Sequence, residues 1–161
     1  MRKILIQIFT VIFFLTSSVV YSSDLLDGLN AAKKGDYKTA LFLLRPLAKK
    51  GNVDAQFVLG GMNYEGSGII KNYKVAMKWF KLAAQQGDVS SQLNLGLMYA
   101  KGQGVVQNYV YAHMWSNIAA SSGHENGKKL RSMISKWMTP NDISTAQKLA
   151  RECVEKKYKG C

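Results

Sequence analysis

The sequence predicts an all-α fold, an α-solenoid of antiparallel helix pairs closed by a C-terminal capping helix. Three observations predict it. Residues 55–87 return 36 positions later as Gln92, Leu95, Gly96, Met98, Gly102, Gly104, Asn108, Tyr109, Ala112, Trp115, Ala119, Ala120 and Gly123, and their second half returns 36 positions earlier as Tyr37, Ala40, Ala48 and Gly51. Within each unit the apolar residues recur at the spacing of one helix face. Glycines and capping residues punctuate the units at matching places. A period of this size marks supersecondary units that cannot bury their apolar faces alone, so stacked neighbours complete the core.

The first 22 residues differ in kind from the rest. Arg2 and Lys3 give a basic start, Ile4 to Leu15 is an apolar run broken only by Gln7 and Thr10, and a small-residue stretch ends in Val20, Tyr21 and Ser22. That layout predicts a secretory signal peptide over residues 1–22, with Val20 and Ser22 suited to the positions before a cut. The apolar run is shorter than the ~20 residues that span a bilayer, so cleavage is expected over retention as an anchor. No cysteine follows to carry a lipid, and no later stretch is long enough to cross a membrane. The expected product is exported, periplasmic or secreted, with residues 23–161 as a single domain. Its parts are a partial repeat (24–52), full repeats (53–88 and 89–124), and a degenerate repeat with the capping helix (125–161).

Asp24 to Lys34 carries Leu25, Leu26, Leu29 and Ala32 at helical spacing, and Gly35-Asp36 breaks it with Asp36 placed to cap the next helix. That helix, Tyr37 to Lys50, turns Ala40, Leu43, Leu44, Leu47 and Ala48 to one side, and Pro46 inside it removes a hydrogen bond and should bend it. The first complete A helix follows over Asp54–Glu65, with Ala55, Leu59 and Met62 inward and Val58 at the margin. Its B partner, Tyr73–Gln86, carries Trp79 and Phe80 as core fillers, and Ala83 and Ala84 allow close helix approach. The connection holds Gly66 and Gly68 for positive φ, Ile69 to tuck beneath the loop, and Asn72 as N-cap. It has neither the preceding strand nor the Lys-Ser/Thr of a nucleotide-binding loop, and its recurrence as Gly102-Gln103-Gly104 marks a structural hinge. The second complete unit spans Ser90–Ser122. Glu125–Trp137 reads as a further A helix with Leu130, Ile134 and Trp137 inward. Thr139-Pro140-Asn141-Asp142 then opens a last helix reaching about Tyr158, with Ile143, Ala146, Leu149, Ala150 and Val154 as its buried stripe. Its polar, basic outer face suits a terminal cap.

The chain carries 22 Lys+Arg against 10 Asp+Glu. Nine basic residues and three acidic ones fall between Asn126 and Cys161. Such a patch suits an anionic membrane surface or an acidic protein partner, and export argues against nucleic acid; a solvated face that keeps the protein in solution is the simpler reading. The two cysteines, Cys153 and Cys161, read as a disulfide in an exported protein. Continuous helix would hold their Cα atoms ~12 Å apart, so bridging requires the helix to end between them, with Gly160 helping the turn. Two cysteines without a nearby histidine or third thiol cannot close a zinc shell, and no cofactor pattern is present.

Leu59-Gly60, Gly66-x-Gly68, Tyr73, Ala76, Trp79-Phe80, Ala83-Ala84 and Gly87, recurring in register at 36, resemble the Sel-one-like repeat (SLR), a relative of the tetratricopeptide repeat. The match covers Asp36 to Gly123. Asn63 departs from it, standing where the pattern has the tyrosine that appears at Tyr99, with Tyr64 one position late. The tail from Met138 through Cys153 also looks like the closing helix of bacterial proteins with these repeats. The resemblance implies a right-handed superhelix acting as a protein-binding scaffold or adaptor. An exported, cysteine-rich subset carries a disulfide in each repeat; here the repeats contain no cysteine, and only the tail pair is available.

Aligned on Leu-Gly, the concave positions of such arrays fall on Asp54, Phe57, Gly61, Tyr64 and Glu65, on Ser90, Leu93, Leu97, Ala100 and Lys101, and on Asn126, Lys129, Met133, Lys136 and Trp137. Residues 54, 57, 61 and 64 also share a helix face offset from the core residues. Phe57, Tyr64, Leu93 and Leu97 suit a groove for a peptide or partner helix, and Lys129 and Lys136 favour an acidic end. The expected function is therefore non-enzymatic binding of a protein or peptide. The resemblance also raises a hydrolase or β-lactam-binding role, but no Ser-x-x-Lys occurs, and His113 and His124 each stand without an evident partner. A third alternative is electrostatic docking of the basic tail on an anionic membrane; the last helix lacks the outer apolar face that insertion needs.

Overall fold

The computed structural model describes residues 23–161, and the expected signal peptide over 1–22 lies outside them. Among the described residues there are eight helices and no strand: residues 23–34 (α1), Tyr37–Lys49 (α2), Val53–Glu65 (α3), Tyr73–Ala84 (α4), Val89–Lys101 (α5), Tyr109–Ser121 (α6), Glu125–Ser135 (α7) and Pro140–Glu155 (α8). Consecutive helices pack on one another from α2 to α7, and α8 lies on α6, not on α7, stacking one B helix on another.

Local chemistry sets the starts. Asp36, Asn52, Asn72, Asp88 and Asn108 each accept a hydrogen bond from the backbone N–H three residues on, so five successive helices begin on an Asp or Asn cap. Each such cap contributes about 1 kcal/mol. Thr139 and Asp142 form a reciprocal capping box around Pro140. α3 and α5 end in left-handed Gly66 (φ 82°) and Gly102 (φ 67°), whose N–H groups return to Met62 and Met98 carbonyls.

The second glycine of each hinge does different work. A Cβ on Gly104 would lie 2.5 Å from the Tyr73 carbonyl oxygen, and one on Gly68 would run into the Tyr37 side chain. Each hinge loop is thus seated on the first residue of the preceding B helix, which fixes the stacking of one unit on the next. On the A helices, Gly60 faces the Phe80 ring and Gly96 faces Ser116, both too close for a side chain. Gln56 Nε2 and Gln92 Nε2 donate back to the carbonyls of Ala48 and Ala84 at the end of the preceding B helix, at 3.0 and 3.4 Å.

The core is a chain of three apolar clusters. Ala31, Ala40, Leu44, Leu47, Ala55, Leu59 and Met62 join α1–α3. Ala76, Phe80, Ala84, Leu95, Met98, Met114, Trp115, Ile118, Ala150 and Cys153 join α4, α5, α6 and α8. Ala112, Leu130 and Ile134 join α6 and α7.

Several expectations need correction. Trp79 is only half-buried, whereas Trp115 in the matching place is buried. Trp137 is 58% exposed because α7 stops at Ser135, and its ring meets Tyr109 with centroids 5.6 Å apart. α8 ends at Glu155, and its buried stripe is Ala146, Ala150 and Cys153; Leu149 and Ile143 are half-buried and Val154 is 46% exposed. Ala146 and Ala150 keep their expected places, and only the last place moves, from Val154 to Cys153, which faces inward to meet the returning tail. Leu26 is exposed, and Ala31 takes the buried place on α1. α2 continues through Pro46; the carbonyl deprived of its intrahelical partner belongs to Phe42, an exposed residue.

Candidate functional site

The A helices α3, α5 and α7 carry the residues expected to line a groove. Asp54, Lys101, Lys129 and Lys136 are exposed, as is Met133. Phe57 and Tyr64 are half-buried against the cluster built on Phe80 and Trp115, with the Phe57 and Phe80 ring centroids 6.1 Å apart. Tyr64 meets Tyr73 edge-on at 5.2 Å, and its hydroxyl donates to Gln103 Oε1 at 2.7 Å, tying α3 to the next hinge loop. Leu93, Leu97 and Ala100 are half-buried against Ala112, Leu130 and Ile134. Gly61 has open space where a side chain would start. The structure thus divides the expected residues between two packing clusters, with Gly61 an unfilled place on the same helix face as Phe57 and Tyr64.

Asn63, the departure from the repeat pattern, is buried and donates its amide to the Leu59 carbonyl at 2.7 Å. Its own carbonyl accepts from Asn72 N–H, as the Tyr99 carbonyl accepts from Asn108. The hinge therefore keeps its geometry despite the missing ring.

The tail after α8 turns back sharply. Lys157 (φ 51°), Tyr158 (φ 63°) and Gly160 (φ 77°) adopt left-handed conformations, and Cys161 reaches Cys153 with Cα atoms 5.6 Å apart in a disulfide. Tyr158 and Cys161 pack against the cluster holding Trp115, Tyr158 lies against Gly87, and Lys81 Nζ donates to the backbone oxygen of Cys161 at 3.2 Å. The tail thereby crosses from α8 to α4.

A cleft that the sequence reading missed opens beside it. It has a volume of about 730 Å³ and lies between the C-terminal ends of α2 and α4, floored by Ala48, Trp79 and Leu82. Lys49, Lys50 and Lys159 line it, and no carboxylate does. Gln86 Nε2 donates to Gln56 Oε1 at 2.9 Å and to the Gly51 carbonyl at 3.1 Å, holding the cleft's amide wall in place. The only available signal was the indole at Trp79, which periodicity assigned to the core; Lys159 arrives from 80 residues away.

His113 is buried on α6 with Nδ1 unpartnered, and burial followed by the Arg131 charge holds its pKa below the usual histidine value. Burial and the neighbouring Tyr111 raise the pKa of Tyr99. Among the described residues no group of three or more His, Cys, Asp or Glu side chains is placed to hold a metal ion, and no helix is long and apolar enough to cross a membrane.

The sequence model of the Sel1 repeat matches residues 25–52, 53–88 and 89–124, well over half of the chain. The chain belongs to the Sel1 repeat family. Among solved structures it is similar to c5321, described as a protective antigen present in uropathogenic Escherichia coli strains and displaying an SLR fold, with 27% identity and a TM-score of 0.79. It is also similar to a Sel1 repeat protein from Oxalobacter formigenes, with 29% identity and a TM-score of 0.66. These alignments cover 86% and 79% of this chain but only 31% and 54% of the longer neighbours. A search of curated protein sequences found no significant match. Membership of the family accounts for the solenoid of stacked helix pairs.

Proposed function

We propose that this Sel1 repeat protein is an exported, non-enzymatic adaptor that binds a peptide or partner helix along its A-helix face. The observation that carries the reading is the unfilled place at Gly61, flanked on α3 by Phe57 and Tyr64, which are more apolar than a solvated helix face requires. A partner side chain entering there would meet aromatic edges, with Leu93 and Leu97 extending the apolar surface and exposed Lys101, Lys129 and Lys136 receiving acidic residues. Export is supported by the disulfide, which persists in oxidising compartments, and by the signal-like sequence of residues 1–22.

The test is capture from an extract of exported proteins, quantified by mass spectrometry. Gly61→Glu places bulk and the wrong charge in open space while removing a helix-interior glycine, so stability is kept or rises by about 0.5–1 kcal/mol. Specific capture should fall about tenfold or more in this variant and in Phe57→Ala/Leu93→Ala. Undiminished capture by Gly61→Glu refutes the groove.

A further inference from the structure

We propose that the cleft over Trp79 is a second docking site, taking a short acidic segment of a partner protein with an aromatic side chain at its centre. The repeat itself supplies the argument. Ala48, Gly51, Gln56, Trp79 and Leu82 of the cleft stand 36 positions before Ala84, Gly87, Gln92, Trp115 and Ile118. At the later place the corresponding gap between B helices is filled by the chain's own tail. Tyr158 packs on the cluster that holds Ala84, Trp115 and Ile118 and lies 3.6 Å from the Cβ position of Gly87; in that cluster, which Ala150 and Cys153 of α8 also join, Trp115 and Ile118 are only 1% and 2% exposed. At the earlier place nothing in the described chain fills the gap. Trp79 stays half-buried, Leu82 is 44% exposed, and about 730 Å³ stands open. The fold therefore displays, one unit along, how it receives an aromatic residue of a short turned segment between two of its B helices.

Charge selects what enters. Lys49 and Lys159 border the cleft and neither joins an ion pair, since the ion pairs among the described residues are Lys128–Glu125 and Lys148–Glu152. The tail that fills the later gap is basic, so a second copy's tail would be repelled from this one, whereas an Asp/Glu-flanked aromatic residue is matched. A recessed site also suits a peptide better than a flat membrane surface. The disulfide belongs to the site, because it holds the tail across α4 and so places Lys159 at the rim.

The test is selection of a random dodecapeptide phage library on the oxidised protein at low salt. The expected outcome is enrichment of peptides with Tyr, Phe or Trp flanked by Asp or Glu. Their binding should weaken about tenfold in Leu82→Glu and in Lys159→Glu, and should persist in Gly61→Glu. Leu82 and Lys159 are exposed, so both variants keep the fold, which thermal melts verify; Trp79→Ala adds a third measurement. Selection of no peptide family, of one without that pattern, or of one whose binding survives both substitutions overturns the proposal. Peptides lost only in Gly61→Glu report the A-helix face instead, and they too overturn it.

Discussion

Replacing Gly104 with alanine tests the seat between units directly. Gly104 has φ 76°, which costs an alanine about 1–2 kcal/mol. Its new Cβ would also lie 2.5 Å from the Tyr73 oxygen, 2.6 Å from the Tyr73 carbonyl carbon and 2.9 Å from Lys74 N. All three are backbone atoms of the first turn of α4, so no rotamer change relieves the clash and the loop must lift. Overpacking of that kind adds about 1–3 kcal/mol. Gly123 is the control: its φ is 86°, and nothing stands within 4 Å of a Cβ there. Gly123→Ala should therefore cost about 1–2 kcal/mol and Gly104→Ala roughly 2–5 kcal/mol. The assay is urea unfolding followed by far-ultraviolet circular dichroism, with the slope checked for loss of all-or-none behaviour, and thermal melts in parallel at ~4 °C per kcal/mol. Equal losses in the two variants would refute the seat, because only the shared backbone strain would then remain.

Three further outcomes are expected. Cys161→Ser removes a short covalent loop and should lower stability by about 2–3 kcal/mol, with wild type in reductant behaving as the variant does; unchanged melts would show that the tail holds without the bond. Trp115→Ala should cost about 3–5 kcal/mol and Trp79→Ala clearly less, because only the first side chain is enclosed; equal unfolding free energies would contradict the difference in burial. The depressed pKa of His113 means that the unfolded chain binds the proton more readily. Stability is then full above the ordinary value of 6.5 and declines as pH falls toward the depressed folded value. Urea midpoints of wild type should drop relative to His113→Gln over that window, and parallel profiles would exclude the effect.

What the sequence disclosed was whatever repeats. Asp36, Asn72 and Thr139 cap helices as their positions implied, and Ala40, Leu44, Leu59 and Ile134 are buried where helical spacing placed them. The isolated cysteine pair implies the disulfide, and the span of continuous helix between its members requires the helix to end inside the loop. Two of the misreadings trace to the returning tail, a segment outside the repeat. Periodicity equates Trp79 with Trp115, but Trp115 is covered by a tail that has no counterpart over Trp79. Val154 lost its inward place to Cys153 because the cysteine has a partner to reach. The second glycine of the hinge was read as conformational freedom alone; its close approach to the preceding B helix is a tertiary fact that no local pattern encodes. The Gly61 opening was legible as a position, while its emptiness depended on how the neighbouring helices pack.

The returning tail gives the molecule a direction. In a solenoid each unit touches only its neighbours, so either end is free to peel first. Here the final residues meet Lys81 on α4 and Gly87 just beyond it, and are bound back to α8 through Cys153. Peeling α8 away must also break contacts on a helix two units upstream. Under thermal or mechanical load, α8 therefore resists peeling more than packing on its nearest neighbour alone would allow.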